Sequence, residues 1–426
     1  MKKTVSMLLM TVLLGATAFN LVGCVPRGET LWIATWEAYM AEKYVKKEFP
    51  KYFNAQMAAA GITDKKIKKV KITSFASNEE LYEKLTTKQV DYDVICPSDY
   101  MVQRLLDEGK LEEIDKAVVK DYAALIEPDI LKMTKEYDKN HEYTLPYAWG
   151  TLGILYNKDK VTEADMASWN ALWNKKPDGS DAAYKDKIWI KDSERDAYAM
   201  ANFYVNQESL KTKSAGFADY ALPEYQTELD RMFSDVSTDT LTAAQNALIA
   251  QKNVFYKYEE EEGKESLAAG KNEAYLGLLW SCDAGYAMQK NPDLRYSIPQ
   301  EGSNVYVDNF VIPKTATNKD VAQHFLAFLL TEEAAYENTM ESGSSGTVVA
   351  ANKMIKDELK AMFDNKTDFM KKAAANQDFY DNYVYTVIFP DKNEKEDLLQ
   401  RCSYMRHYPG DGNDKVAIMF ATVQNA

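Results

Sequence analysis

The chain of 426 residues is poor in the side chains that most often carry covalent chemistry, with 4 cysteines and 3 histidines. Cys24, Cys96, Cys282 and Cys402 stand far apart and form no Cys-x-x-Cys pair, so neither a zinc site nor a redox motif is supported. Buried free thiols are the simple reading for the last three. His141, His324 and His407 lack metal-ligand spacing. No G-x-S-x-G, P-loop or G-x-G-x-x-G is present, and Gly410-Asp411-Gly412 is too short to mean anything. No enzyme and no cofactor are therefore indicated, although the 65 acidic residues are enough to form chance carboxylate pairs of the kind a hydrolase would use. Basic charge is in deficit too. With 51 Lys and Arg, the formal charge is −14, which disfavours nucleic acid or anionic lipid as a partner and is compatible with cationic ligands. Internal repeats and low-complexity linkers are absent, and past the N-terminus no apolar run approaches the ~20 residues of a membrane span.

What is present begins with a leader. Lys2 and Lys3 precede an apolar segment from Met7 to Phe19, and Leu21-Val22-Gly23-Cys24 follows. This order describes a secretory signal over residues 1–23. It resembles the lipobox of bacterial lipoproteins, in which the cysteine, here Cys24, becomes the lipidated first residue; an ordinary signal with an incidental cysteine is the alternative. Membrane attachment would then be through the N-terminal lipid only.

The rest has a hydrophobic content of 46%, in the range of a packed soluble protein, and a length that predicts two domains or more. Strands are expected at 29–36, 70–75, 92–96 and 187–191, with helices at 40–60 (interrupted at Pro50), 77–85 and 99–108. Ser77 and Glu80 form a capping-box pattern. Such alternation predicts an α/β layer architecture. Residues 115–140 read as a charged helix, 143–156 as an extended crossing between lobes, and 208–270 as mostly helical, with Glu259 to Glu262 a solvated charge run. Asn318 to Leu330 is an amphipathic helix with His324 on its surface, Ser342 to Gly346 a flexible turn, and 353–375 helical.

The most informative stretch is Leu276 to Pro313. Leu276 to Trp280 and Tyr306 to Ile312 read as buried strands, yet Asp283 follows one and Asp308 interrupts the other. A carboxylate there is costly unless something cationic answers it. Trp280 and Tyr306 lie beside these acids, and rings with carboxylates suit an organic cation. Further candidates lie at other strand ends, where open α/β sheets place ligands. They are Trp36, Glu37 and Tyr39 after the first strand, Ser98, Asp99 and Tyr100 after the third, and Ser193 and Asp196 after the fourth. Each also has a plain alternative, such as core packing for Trp36 or helix capping for Asp99.

Taken together, the chain resembles the spermidine- and putrescine-binding proteins of polyamine ABC importers. The resemblance runs from about Thr30 to Asn352 in ordered blocks: T-W-E-A-Y at 35–39, S-N-E-E-L-Y-E-K-L at 77–85, Y-D-V-I-C-P-S-D-Y at 92–100, L-P-Y-A-W-G at 145–150, S-W-N-A-L-W at 168–173, L-G-L-L-W at 276–280, V-D-N-F-V-I-P at 307–313 and N-K-D-V-A-Q-H-F-L-A-F-L-L at 318–330. It implies a type II periplasmic-binding-protein fold, with two α/β lobes joined by crossover strands and closing on ligand. Lobe 1 would be 24–147 with 308–345, and lobe 2 would be 148–307 with 346–426. It also implies a polyamine ligand and ABC permease partners. Trp36, Tyr39, Ser98, Tyr100, Trp280, Asp283, Tyr306 and Asp308 match ligand positions of that family, and Asp196 falls where the family has a glutamate. Two positions depart from the pattern: Ala38 replaces an acid and Ser193 an aspartate. A sensory or adhesion lipoprotein that kept the fold is the alternative.

Overall fold

The computed structural model describes residues 26–87, 90–120, 122–259, 262–365, 376–390 and 398–426. The leader and Cys24 lie outside these residues. Thr30–Thr35 (β1), Lys69–Ser74 (β2) and Val94–Ile95 (β3) form a parallel sheet in the order β2-β1-β3. Parallel neighbours need long crossovers, and the helices Glu42–Ala59 and Asn78–Thr86 supply them. The second helix is capped as its sequence predicts. Ser77 Oγ accepts the Glu80 N–H at 3.1 Å, while the Glu80 carboxylate accepts the Ala76 N–H at 2.6 Å.

Pro50 does not interrupt the first helix, which runs unbroken from Glu42 to Ala59. Its buried face, Val45, Phe49, Phe53 and Met57, recurs every fourth residue and so forms one stripe. The ring of Phe49 packs edge-on against Phe325 at 5.1 Å and Phe328 at 5.6 Å, both on the helix Lys319–Leu329. That packing holds the helix through a residue that removes a hydrogen bond from it. His324, on the same helix, is half-buried and packs edge-on against Phe53 at 5.3 Å rather than standing free on the surface.

The second sheet contains Leu145–Asn157 (β4), Ile188–Lys191 (β5), Lys257–Glu259 (β6), Leu276–Trp280 (β7), Leu294–Ser297 (β8), Ser303–Phe310 (β9), Ser345–Gly346 (β10) and Cys402–Ser403 (β11). Its order is β11-β9-β4-β7-β5-β6, with β8 and β10 also paired to β4. The long β4 serves two partners. Its first half, Leu145 to Thr151, runs antiparallel to β9, and its second, Leu152 to Tyr156, antiparallel to β7. Past β9, Val311 bridges to Ile95, and Asp308 itself bridges to Ser98. Thus β4 and β9 carry the chain between a small parallel sheet and a larger mixed one. This is the two-lobe α/β architecture with crossover strands, and among the described residues no helix is long and apolar enough to cross a membrane.

Several local expectations change. Among the described residues of 115–140, only Pro128–Thr134 is an α-helix. Residues 208–270 contain the helices Pro223–Met232, Thr238–Gln251 and Glu262–Ala268 but also the strand β6. The stretch 342–346 turns at Gly343, the left-handed cap of the helix Glu332–Ser342, and then forms the buried strand β10, with the Ser345 hydroxyl donating to the Ile388 carbonyl. Glu259 is not solvated: it ends β6 with 2% exposure, whereas Glu262 is exposed and residues 260–261 lie outside the described residues. The helix Val349–Asp364 packs on Glu332–Ser342, and its start is tied to the first half of the chain. Val349 N–H donates to the Leu125 carbonyl at 2.9 Å, and Asn352 Nδ2 to Glu127 Oε1 at 2.8 Å. Of the helix expected at 353–375, residues 366–375 lie outside the described residues.

The C-terminal residues return to the seam between the sheets. β11 runs parallel to β9 at Ser303 and Asn304. The segment after it is bonded on both sides. Gln103 Nε2 donates to the Met405 carbonyl at 3.1 Å and accepts the His407 N–H at 3.2 Å through Oε1. Arg406 reaches Glu136 at 3.4 Å and Asp230 at 2.8 Å. The final helix, Gly412–Asn425, packs on Glu194–Lys213 and Thr238–Gln251.

Candidate functional site

Sheet register brings the central candidates to one surface. On β9, Tyr306 and Asp308 are two residues apart and face the same side. They pair with Gly150 and Ala148 of β4, whereas Leu152, two residues beyond Gly150, pairs with Trp280. Partners across an antiparallel ladder share a face, so Tyr306, Asp308 and Trp280 look out from the same side of the sheet. Gly150 makes this possible, because a Cβ built there would lie 2.4 Å from the Tyr306 hydroxyl and 2.5 Å from Ser281 Oγ.

Asp308 is 4% exposed. The Tyr39 hydroxyl donates to its Oδ2 at 2.6 Å, and the Tyr39 carbonyl in turn accepts from the Tyr147 hydroxyl at 2.8 Å. Among the described residues, Asp308 Oδ1 has no hydrogen bond of sound geometry. Burial pushes the carboxyl up to about 6, against the opposing pull of Tyr39 and nearby Ser98. The Tyr306 hydroxyl is buried beside Cys282 and Ser344, and Trp36 Nε1 is buried as well. A buried carboxylate with neutral hydroxyls beside it and no ion pair among the described residues is a place that a cation would complete.

Asp99 has a different part. Its Oδ2 accepts the Val307 N–H at 3.2 Å and its Oδ1 the Tyr100 N–H at 2.6 Å. Burial raises this carboxyl to about 8, so it is mostly neutral at pH 7 and acts as a clasp between the helix Asp99–Asp107 and β9. The Tyr100 ring is covered by the Arg195 guanidinium at 3.7 Å, and its hydroxyl donates to Glu79 at 3.2 Å. Ser193 caps the helix Glu194–Lys213 by accepting the Asp196 N–H. Trp36 packs edge-on against Phe75 at 4.6 Å, and Glu37 is exposed. Between Glu37 and Tyr39, Ala38 has φ 51°, a left-handed conformation that short polar residues tolerate better than alanine.

At the far end, Trp280 Nε1 donates to Asp196 Oδ2 at 3.1 Å. Asp196 is buried, and burial raises its pKa despite Ser193 and Lys191. Asp283, however, already has cations of the chain's own. Lys191 Nζ stands 3.3 Å from its Oδ2, and Lys264 Nζ 2.8 Å from its Oδ1. Lys191 also pairs with Glu259 at 3.3 Å. The structure thus gathers Tyr39, Ser98, Tyr306 and Asp308 at one end and Asp196, Trp280 and Asp283 at the other. Asp99, Tyr100 and Ser193 have partners within the protein. Sequence reasoning missed Lys191, Lys264, Glu259 and Tyr147. Lys191 ends a strand, as the other candidates do, but a search for acids and rings passes over a lysine.

Known proteins share this plan. The family model described as bacterial extracellular solute-binding protein matches residues 51–379. The spermidine/putrescine-binding periplasmic protein of Escherichia coli (strain K12) is 29% identical over 296 residues, covering 68% of this chain and 74% of that protein. The putrescine-binding periplasmic protein of the same organism is 28% identical over 308 residues, covering 71% and 73%. Among solved structures, the spermidine/putrescine ABC transporter substrate-binding protein of Streptococcus pneumoniae superposes with a TM-score of 0.61 at 24% identity, covering 93% of this chain and 99% of that one.

Proposed function

Because the chain belongs to the family of bacterial extracellular solute-binding proteins, we propose that it captures a polyamine of the putrescine or spermidine class between its lobes and presents it to the permease of an ABC importer. No bond is made or broken in this task; family membership makes the chain a binding protein rather than an enzyme.

The observation that carries the ligand class is Asp308, a buried carboxylate with the neutral hydroxyls of Tyr39 and Ser98 beside it and no ion pair among the described residues. A primary ammonium supplies what that carboxylate lacks, a compensating charge. A hydrogen bond to a charged group contributes roughly 1.5–3 kcal/mol. Tyr39 and Tyr306 add ring surface for the methylenes, and a cation over a ring adds ~0.5–2 kcal/mol. The relatives named as spermidine- and putrescine-binding support the same class.

Calorimetric titration of the purified protein with putrescine and with spermidine tests this. Saturable heat at one ligand per protein supports it, and no heat with either rejects the ligand class. Neighbouring genes for an ABC ATPase and permeases would support transport over a sensory or adhesive role. The same reading makes residues 1–23 a cleaved leader and Cys24 a lipid anchor. Replacing Cys24 by alanine should then release the protein from the membrane fraction, and retention would reject the anchor.

A further inference from the structure

Lys191 stands where a bound ammonium would be sought. Its side chain is 7% exposed, and its Nζ lies 4.4 Å from the Trp280 ring centroid and 3.3 Å from both Asp283 Oδ2 and Glu259 Oε1. A ring face with carboxylates around it is the arrangement that recognises an organic cation, and here the chain places its own amine in it. Burial works against the lysine's charge, but Asp283 and Glu259 outweigh it, so its pKa rises and the ammonium form persists at neutral pH. Lys264 takes the other oxygen of Asp283. At the Trp280 end, therefore, lysines take both oxygens of Asp283, Lys191 lies over the ring, and Asp196 is held by Trp280, whereas Asp308 at the other end has the neutral hydroxyls of Tyr39 and Ser98 beside it.

Resting on the polyamine reading above, we propose that Lys191 is a specificity-determining residue: an internal amine that occupies the Trp280 end of the cleft and restricts the ligand to a short diamine anchored at Asp308. A triamine long enough to reach Trp280 would bring an ammonium against the lysine. There it would find the carboxylate oxygens of Asp283 already taken, and forgoing a charged hydrogen bond of roughly 1.5–3 kcal/mol costs about tenfold or more in affinity. Asp308 pairs with Ala148 and Trp280 with Leu152, roughly 13 Å apart along the strand, which is farther than a short diamine spans.

The test is calorimetry of the whole protein with 1,3-diaminopropane, putrescine, cadaverine and spermidine. Wild type should bind spermidine about 10-fold more weakly than putrescine, from the charged hydrogen bond its far ammonium forgoes. The double variant Lys191→Met with Glu259→Gln removes the cation together with one of its anions, which keeps the buried charge balanced. It should reduce or reverse the putrescine preference by a similar factor, with circular dichroism and a thermal melt confirming its fold. Equal or tighter spermidine binding by wild type overturns the proposal, as does an unchanged preference in a folded variant, while both results leave the polyamine reading standing. If neither protein binds any polyamine, both fall. Should the variant not fold, the wild-type length series decides alone: affinity falling from putrescine to spermidine supports the proposal, and affinity rising overturns it.

Discussion

Asp308→Asn is expected to move ligand affinity and stability in opposite directions. The folded carboxyl has a pKa of about 6 against 3.8 for a free aspartate. A raised acid pKa means that the folded state keeps its proton longer than the unfolded chain does. Stability is therefore undiminished below pH 3.8, declines as pH rises towards 6, and carries the full penalty above that. The gap corresponds to about 3 kcal/mol at neutral pH. Asparagine keeps the shape and can still accept from Tyr39, but it does not ionise. After allowing for its own buried amide, a net gain of roughly 1–2 kcal/mol is expected in the ligand-free protein. Binding should move the other way. Removing one partner of a buried charge pair costs roughly 2–4 kcal/mol, on the order of 30- to 1000-fold in Kd. Wild-type affinity should also climb as pH rises towards 6 and level off above it, while the variant shows no such climb. Thermal melts at pH 4 and 7.5 with calorimetry across the same range check all of this. The reasoning is refuted if the variant binds within threefold of wild type, or if its ligand-free form melts lower than wild type at pH 7.5.

Other substitutions probe the frame of the site. Gly150→Ala would drive a methyl into Tyr306 and Ser281, so overpacking should cost roughly 1–3 kcal/mol in urea unfolding and weaken ligand binding at least about tenfold. Pro50→Ala restores a donor inside an intact helix and should stabilise by about 1–3 kcal/mol, and a lower urea midpoint would show that the proline is accommodated without cost. Ala38→Gly relieves a left-handed alanine and should raise stability by roughly 0.5–1 kcal/mol, with no effect on a lysine-dependent ligand preference.

Much of the scaffold was legible because its signals are local. The run L-G-L-L-W and the cap at Ser77 report on strand and helix without help from distant residues, and both occur as expected. The acids Asp283 and Asp308 could be flagged as costly for the same reason. What answers them could not. Asp308 is held by Tyr39, 269 residues earlier, and Asp283 by lysines from a different strand and helix. Periodicity carries no information about such pairs. Glu259 read as solvent-facing because it begins an acidic run, yet β6 lies beside β5 and delivers it to Lys191. Pro50 misled in the opposite sense: its local cost is real, but the contacts of Phe49 with Phe325 and Phe328, from another part of the chain, override it. Ser345 has no strand propensity of its own and becomes one because β4 offers it an edge.

The returning C-terminus has a practical consequence for anyone who would turn this protein into a sensor. Residues 405–407 are bonded to Gln103 and Glu136 on one side and, through Arg406, to Asp230 on the other, so parting the two halves must break some of these bonds. A dye pair on Gln103 and a residue of that segment would report directly on the seam. A fluorescent protein fused after Ala426 would not be a passive label, since Lys252 Nζ holds the carbonyls of Val423 and Gln424 and the load would fall on that last turn. In this molecule the tail is part of the instrument, and a reporter is better inserted elsewhere.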